Sequence, residues 1–466
     1  MPPQLALFIG FLFILWLWVR DRKWRPMTSV ALWVPLLWIL VIGSRPVSLW
    51  LGGGATTDNV EDYLEGSPLD RNVFLLLIVA GLVVLLRRRV DWGGVFARNR
   101  WLFAFFLYCG ISVMWADYPF VSLKRWVKDC GNVLMVLILV TEKDPVQATK
   151  ALLARYTYFA IPLSVVFIKY FADIGRYYNR WTWEPVYCGV TTEKNSLGIV
   201  VLVCGLFLVW DLIEMRTAGV RKTDRMDLLG RVILFLMAFW LIDKADSSTA
   251  LVCLILGIVV LVYMRPPLAV RRARHLGAYS LAIGILIALL YSFPSIAGWF
   301  TGMLGRDTTL TGRTDLWAEF LSEPINPLLG TGYQSFWLGP RAEHYWEKYY
   351  WHPNQAHNGY LETYLNGGFI GVCLLLAMIV SAGGNLKQGL LRADGYSTFC
   401  FSFLFVSLVE NITEALFNRM SPVWFILLLA VLNYPRSPGP ISEDVTESAD
   451  DIPLGGLPKG QSKVPV

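Results

Sequence analysis

Residues 196–213 read SLGIVVLVCGLFLVWDLI, about five helical turns in which Asp211 is the single charged side chain. Apolar residues fall on every face. The pattern is neither the period-two alternation of a half-buried strand nor the one-sided stripe of a soluble helix. An apolar run of this length suits a helix crossing the ~30 Å hydrocarbon layer of a membrane. Similar blocks recur at 4–19, 28–43, 73–86, 101–115, 121–140, 151–171, 229–242, 249–264, 277–294, 359–381, 397–410 and 421–432. Charged or Gly/Pro-containing stretches separate them. The 466 residues are 55% hydrophobic and only 16% charged, where a soluble domain carries about a quarter. The expected fold class is all-α: a polytopic helical membrane protein of about 12–13 transmembrane helices, with a large extracytoplasmic loop before the last spans. Because the blocks are continuous rather than alternating, a closed β-barrel is not the first choice.

The first block has no basic region in front of it and is followed by RDRKWR (20–25) rather than a small-residue cleavage site, which predicts a retained helix. Of the seven cysteines, Cys109, Cys130, Cys204, Cys253, Cys373 and Cys400 lie in apolar blocks, with neither a disulfide framework nor metal-ligand spacing. The net charge of +6 resides in loops at block ends, which speaks against a nucleic-acid partner and for a lipid bilayer. Stretches 20–25, 87–100, 216–231 and 265–274 are rich in Lys and Arg and go to the cytoplasm. The N-terminus and the loops 44–71, 171–195 and 295–358 then lie outside. The expected organisation is an N-terminal transmembrane bundle (1–294), an extracytoplasmic catalytic loop (295–358), C-terminal transmembrane helices (359–433) and a disordered cytoplasmic tail (434–466).

The loop 295–358 is dense in Pro, Gly and aromatic residues, the composition of a folded cap, and holds His344, His352 and His357. At its end stands QAHNGYLETYLNGG (355–368). A neutral imidazole at His357 could accept a proton from an attacking hydroxyl. From His357 to Glu362 and Tyr364 the spacing suits the first turns of a helix, which Gly367 and Gly368 then either break or allow to pack closely. The plainer alternative is a histidine that caps a helix in an aromatic interface belt. Metal binding is disfavoured, since there is no His-Glu-x-x-His arrangement and His352 with His357 makes a poor helical ligand pair. Arg313 lies in TGRTDLW of the same loop. Arg125 and Lys128 share one face at the outer start of a span, where cations need a reason such as snorkelling or a bound diphosphate. Lys194 and Asn195 in GVTTEKNSLG sit at a helix N-terminus, which favours an anion. In DKADSSTAL, Ser247, Ser248 or Thr249 could cap the next helix. Glu410, Asn411 and Glu414 fall between the final blocks without an assigned role.

Together these residues resemble the O-antigen ligase and polymerase superfamily of bacterial envelope glycosyltransferases. Gly312-Arg313 with Trp317, Pro327 to Phe336, and His357 to Gly371 follow the family's three motifs in order. The stretches around Arg125 and Lys194 are similar as well, so the likeness extends over roughly residues 110–430. TGRTDLW with GTGYQSFW resembles the exopolysaccharide-production branch. Ser248 stands where relatives often carry Arg or Lys. The resemblance implies a glycan donor on undecaprenyl diphosphate, a glycan or lipid acceptor, no cofactor and no metal, and an association with polysaccharide assembly proteins. It makes His357 and Arg313 catalytic, and Arg125, Lys128, Lys194, Asn195, Tyr333, Asn358 and Glu362 substrate-binding. The rival readings are a lipid-linked glycan transporter or flippase and a non-catalytic assembly subunit. A transporter often shows internal repeats, and none is evident here.

Overall fold

The computed structural model describes residues 1–24, 29–52, 66–179, 183–217, 225–265, 268–275, 313–349 and 351–434, with the backbone alone for 22–24, 217 and 313–315. The predicted span 277–294, the loop residues 295–312 and the tail from 435 lie outside the described residues.

Every other predicted block is a helix. In chain order these are α1 (Pro3–Trp24), α2 (Trp33–Ile42), α3 (Pro68–Arg87), α4 (Arg100–Ile111), α5 (Pro119–Val140), α6 (Pro145–Tyr170), α7 (Lys194–Thr217), α8 (Arg225–Ala245), α9 (Ser248–Tyr263), α10 (Gly359–Leu391), α11 (Gly395–Glu410) and α12 (Pro422–Val431). Helices α1, α3, α6, α7 and α10 are long and apolar enough to cross a membrane. α2, α4, α9, α11 and α12 are shorter and equally apolar, whereas α5 and α8 have spanning length but carry more charge. The protein is therefore a polytopic helical membrane protein. A small antiparallel hairpin, Arg176–Tyr178 with Pro185–Tyr187, supplies the strands among the described residues.

Sequence chemistry marks where the helices begin. Asp144 accepts from the N–H groups of Val146 and Gln147 with Pro145 in the first turn, and Ser421 accepts from Trp424 with Pro422 behind it. Ser247 is the residue that caps α9, accepting from Ala250. Helices α6 and α7 are the inner pillars, 89% and 78% buried over their apolar windows, against 22% for α1 and 17% for α3. The outer helices expose Phe8, Phe11, Leu76 and Leu86, a surface suited to lipid rather than water.

Ion pairs join one set of helix ends. Arg88 pairs with Glu142, Arg20 with Asp227, Arg155 with Asp21 and Arg231 with Asp211, linking the end of α3 to the turn after α5, the end of α1 to α6 and α8, and α7 to α8. The loops that the charge pattern assigns to the other side meet at the opposite end. There the Arg45 N–H donates to the Val190 carbonyl, Ser48 Oγ donates to Asp70, the Asp117 N–H to Ser335 Oγ, and Thr249 meets Thr413. Over that end sits a cap whose aromatic core is Phe320, Phe336, Trp337 and Tyr345 with Ala356 and Leu365.

α10 is broken where the glycine pair predicted it. Gly368 has φ 58° and ψ −164° within an otherwise helical run. The break frees backbone groups that the segment Pro327–Gly332 takes up. Thr331 N–H donates to the Leu365 carbonyl (3.0 Å) and Gly332 N–H to that of Asn366 (2.9 Å), while the Phe369 and Ile370 N–H groups donate to the carbonyls of Pro327 and Leu328 (2.9 and 3.3 Å). The two backbones touch. A Cβ on Gly368 would lie 2.3 Å from the Leu328 carbonyl carbon, and one on Gly330 (φ 67°) 2.5 Å from that of Asn366. Gly368→Ala is therefore expected to destabilise the protein, with about 1–3 kcal/mol from the forced backbone alone. Gly384→Ala, where a Cβ meets open space, is expected to be neutral or slightly stabilising. Thermal unfolding midpoints in detergent compare the two.

Candidate functional site

The loop carrying His357 is held by side chains that bond its backbone. Trp346 Nε1 donates to the Pro353 carbonyl (2.9 Å), Trp317 Nε1 to that of Ala356 (2.7 Å) and Arg419 Nη2 to that of Asn354 (3.0 Å). His357 itself has φ 49°, a left-handed conformation maintained only where neighbours over-determine it. The next residue, Asn358, is the helix cap: its Oδ1 accepts from Tyr360 and Leu361 N–H. The plainer reading of His357 as the cap thus belongs to its neighbour.

His357 Nδ1 lies 3.3 Å from Glu414 Oε2, and the other Glu414 oxygen accepts from Asn195 Nδ2 at 3.0 Å. One carboxylate thereby joins the start of α7, the α11–α12 turn and the start of α10. Glu414 is itself buried. A proton on Nδ1, directed at Glu414, leaves the Nε2 lone pair to act as acceptor. The turn that carries Glu414 is shaped by Asn411, whose Oδ1 accepts from Leu416 and Phe417 N–H and whose carbonyl accepts from Gly359 N–H. Glu410 is buried in the last turn of α11. Glu193 stands in the same neighbourhood. Although its side chain keeps solvent access, protein crowded around the carboxyl raises its pKa by desolvation; His357 opposes the shift and Glu414 adds to it.

The other predicted residues are placed as follows. Glu362 is buried, and its carboxylate accepts from Trp337 Nε1, the Ala356 N–H, Asn366 Nδ2 and Arg419 Nη2. Tyr333 is buried and donates to Asp129 Oδ2 at 2.8 Å; Asp129 also receives Asn132 and Trp424. Arg125 Nη1 donates to the Gln334 carbonyl at 2.8 Å, and Lys128 Nζ stands 5.3 Å over the Phe74 ring. Lys194 pairs with Asp246 at 3.0 Å. Arg313 is the first residue of a short helix, Arg313–Ser322; its side chain lies outside the described residues. A run of contacts links the histidine loop to the α5 cations: Ala356 to Glu362, Glu362 to Arg419, Asn418 to Gln334, and Gln334 to Arg125. Beside this run opens a small cleft bordered by Tyr108, Gln334, Asn366 and Arg419.

Asp129, Arg419 and the contacts of Glu414 emerge only in the structure. A lone acidic residue within an apolar span is the signal that marks Asp129. Nothing local marked Arg419.

With helical spans on one side and a histidine-bearing cap on the other, the molecule is a multi-pass membrane protein, and residues 232–376 match the family described as O-antigen ligase. That stretch contains Arg313, Tyr333, His357 and Glu362 but neither Asn195 nor Glu414. Over 308 residues the chain is 26% identical to the exopolysaccharide production protein ExoQ of Rhizobium meliloti (strain 1021), an alignment covering 63% of this chain and 67% of that protein. The resemblance to the O-antigen ligase superfamily, on its exopolysaccharide-production side, is thereby shown.

Two outcomes follow from the packing. Glu362→Ala leaves the buried Trp337 indole and Ala356 N–H without their acceptor and takes the carboxylate from the partly exposed Arg419; it is expected to cost about 2–5 kcal/mol, read as a lowered unfolding midpoint. For Glu193 the folded protein binds its proton more tightly than the unfolded chain does. Its contribution is present below the ordinary carboxyl value of 4.5 and is lost as pH rises through the raised one. Unfolding midpoints across this range should fall more steeply with pH in the parent than in Glu193→Gln.

Proposed function

We propose that the protein is a membrane glycosyltransferase of surface-polysaccharide synthesis, which transfers or polymerises an undecaprenyl-diphosphate-linked glycan onto an acceptor hydroxyl at the extracytoplasmic face of the bacterial inner membrane. Residues 295–358 form its catalytic loop, between the bundles 1–294 and 359–433. The coarser part of this reading, a role in surface-polysaccharide synthesis, rests on the family match and the exopolysaccharide relative. The observation that carries the mechanism is the His357–Glu414–Asn195 arrangement: an imidazole with one nitrogen committed to a carboxylate and the other, among the described residues, without a hydrogen-bond partner.

In this mechanism His357 Nε2 takes the proton of the acceptor hydroxyl, and the hydroxyl oxygen attacks the anomeric carbon of the donor. The bond from that carbon to the diphosphate oxygen breaks, the configuration inverts, and undecaprenyl diphosphate departs with the bonding pair. Glu414 stabilises the imidazolium that forms and fixes the ring, while Asn195 fixes Glu414. Arg313, Arg125, Lys128 and Lys194 supply positive charge for the departing diphosphate, arginine through bidentate hydrogen bonds. Tyr333, Asn358 and Glu362 form and brace the substrate-binding surface. A diphosphate is already a good leaving group, so positioning and charge carry most of the rate.

Purified protein in liposomes, given lipid-linked glycan and acceptor, is expected to release undecaprenyl diphosphate. His357→Ala should lower the release about 10²- to 10⁴-fold. Glu414→Gln, which keeps the shape but removes the charge, should lower it by at least about tenfold. Release undiminished in His357→Ala would remove this residue from the chemistry.

A further inference from the structure

Beside the imidazole stands an aromatic ring to which the reaction so far assigns no role. Trp351 is 39% exposed, and its ring centre lies 6.3 Å from that of His357 with the planes inclined at 45°. Tyr349 flanks it at 5.9 Å. The other tryptophans of the cap, Trp317, Trp337 and Trp346, donate their indole N–H to protein acceptors and hold the cap together. Among the described residues Trp351 donates to none. It is carried by the same loop that three side chains pin at Pro353, Asn354 and Ala356, and Trp346 stacks on its neighbour His352 at 4.8 Å. A large apolar ring is thus presented to solvent from a loop whose backbone is fixed.

Pyranose rings carry a patch of C–H groups whose slight positive charge is attracted to the negative face of an indole. A sugar resting on that face lies about 3.5–4 Å away, and its equatorial hydroxyls project past the edge of the indole. With ring centres 6.3 Å apart, such a hydroxyl comes within hydrogen-bond reach of the imidazole. A general base must reach the proton it removes, so the sugar beside His357 is the acceptor's, not the donor's. We propose that Trp351 binds the acceptor glycan, stacking against a pyranose ring so that one hydroxyl meets His357 Nε2. This rests on the glycosyl-transfer reading above. Tryptophan suits the task because it offers wide contact with only two side-chain torsions to order.

The test measures undecaprenyl diphosphate release from the host's own lipid-linked repeat unit, against increasing concentrations of a soluble oligosaccharide of the same repeat. Trp351→Ala is expected to raise the acceptor KM about tenfold, leaving kcat within about twofold and the donor KM unchanged. Trp351→Phe should return the acceptor KM most of the way, and Trp351→Leu, apolar but without a π face, should behave like the alanine variant. An unaltered acceptor KM in Trp351→Ala overturns the proposal. So does a fall in kcat alone, a rise in the donor KM, or full recovery by leucine. His357→Ala in the same assay separates the two ideas. Release that survives in it defeats the base mechanism, whereas an inactive His357→Ala beside an unaffected Trp351→Ala defeats only the stacking.

Discussion

A helix interrupted within a membrane protein leaves N–H and C=O groups that hydrocarbon cannot satisfy, each at a cost of several kcal/mol. In α10 that requirement is met by a second stretch of chain, the Pro327–Gly332 segment, which returns hydrogen bonds to both sides of Gly368. The solution demands close contact of two backbones, and glycines at 330 and 368 permit it. Once the segment is seated there, much else is determined. Tyr333 reaches Asp129 in the bundle, which also takes the Trp424 indole N–H, Ser335 meets Asp117, and the Phe336 N–H is taken by the Asn366 side chain. The cap is thus fastened through the main chain, which sequence drift in side chains leaves intact.

Two carboxylates divide the work at the cap's lower edge. Glu362, saturated by four donors, sets the position of the loop around Ala356. Glu414 engages the next residue's imidazole and Asn195. One acts on backbone placement and the other on the orientation of a titratable ring, so a change in the first disturbs the loop and a change in the second disturbs the setting of His357. The O-antigen ligase match ends at residue 376, short of Glu414, although the histidine inside the match leans on that residue.

The spans were legible because continuous apolar runs of this length have few alternatives, and the glycine pair marked the break because Gly368 combines φ 58° with ψ −164°, a conformation that a side chain strains. Ser247 as the cap of α9 was one of three candidates that local chemistry offered, whereas the cap of α10 is Asn358 and not the histidine before it. The partner of His357 could not be read, because 57 residues separate it from Glu414 and 219 separate Glu414 from Asn195. Arg419 was invisible for a related reason: what distinguishes it is the pair of acceptors it meets, one on the histidine loop and one on α10. Patterns along a chain reveal what a residue does to its neighbours in sequence, and this site is assembled from neighbours in space.

The ion pairs at the other end of the bundle bear on how the protein is made. Arg20 closes on Asp227, 207 residues later, and Asp21 on Arg155, 134 residues later. While the chain is still emerging, Asp227 and Arg155 have not been synthesised, so these two pairings of the end of α1 must wait. The natural resting place of Arg20 and Asp21 in the interval is the headgroup layer, where water serves them. These two pairings of α1 with the bundle close only once α6 and α8 have arrived.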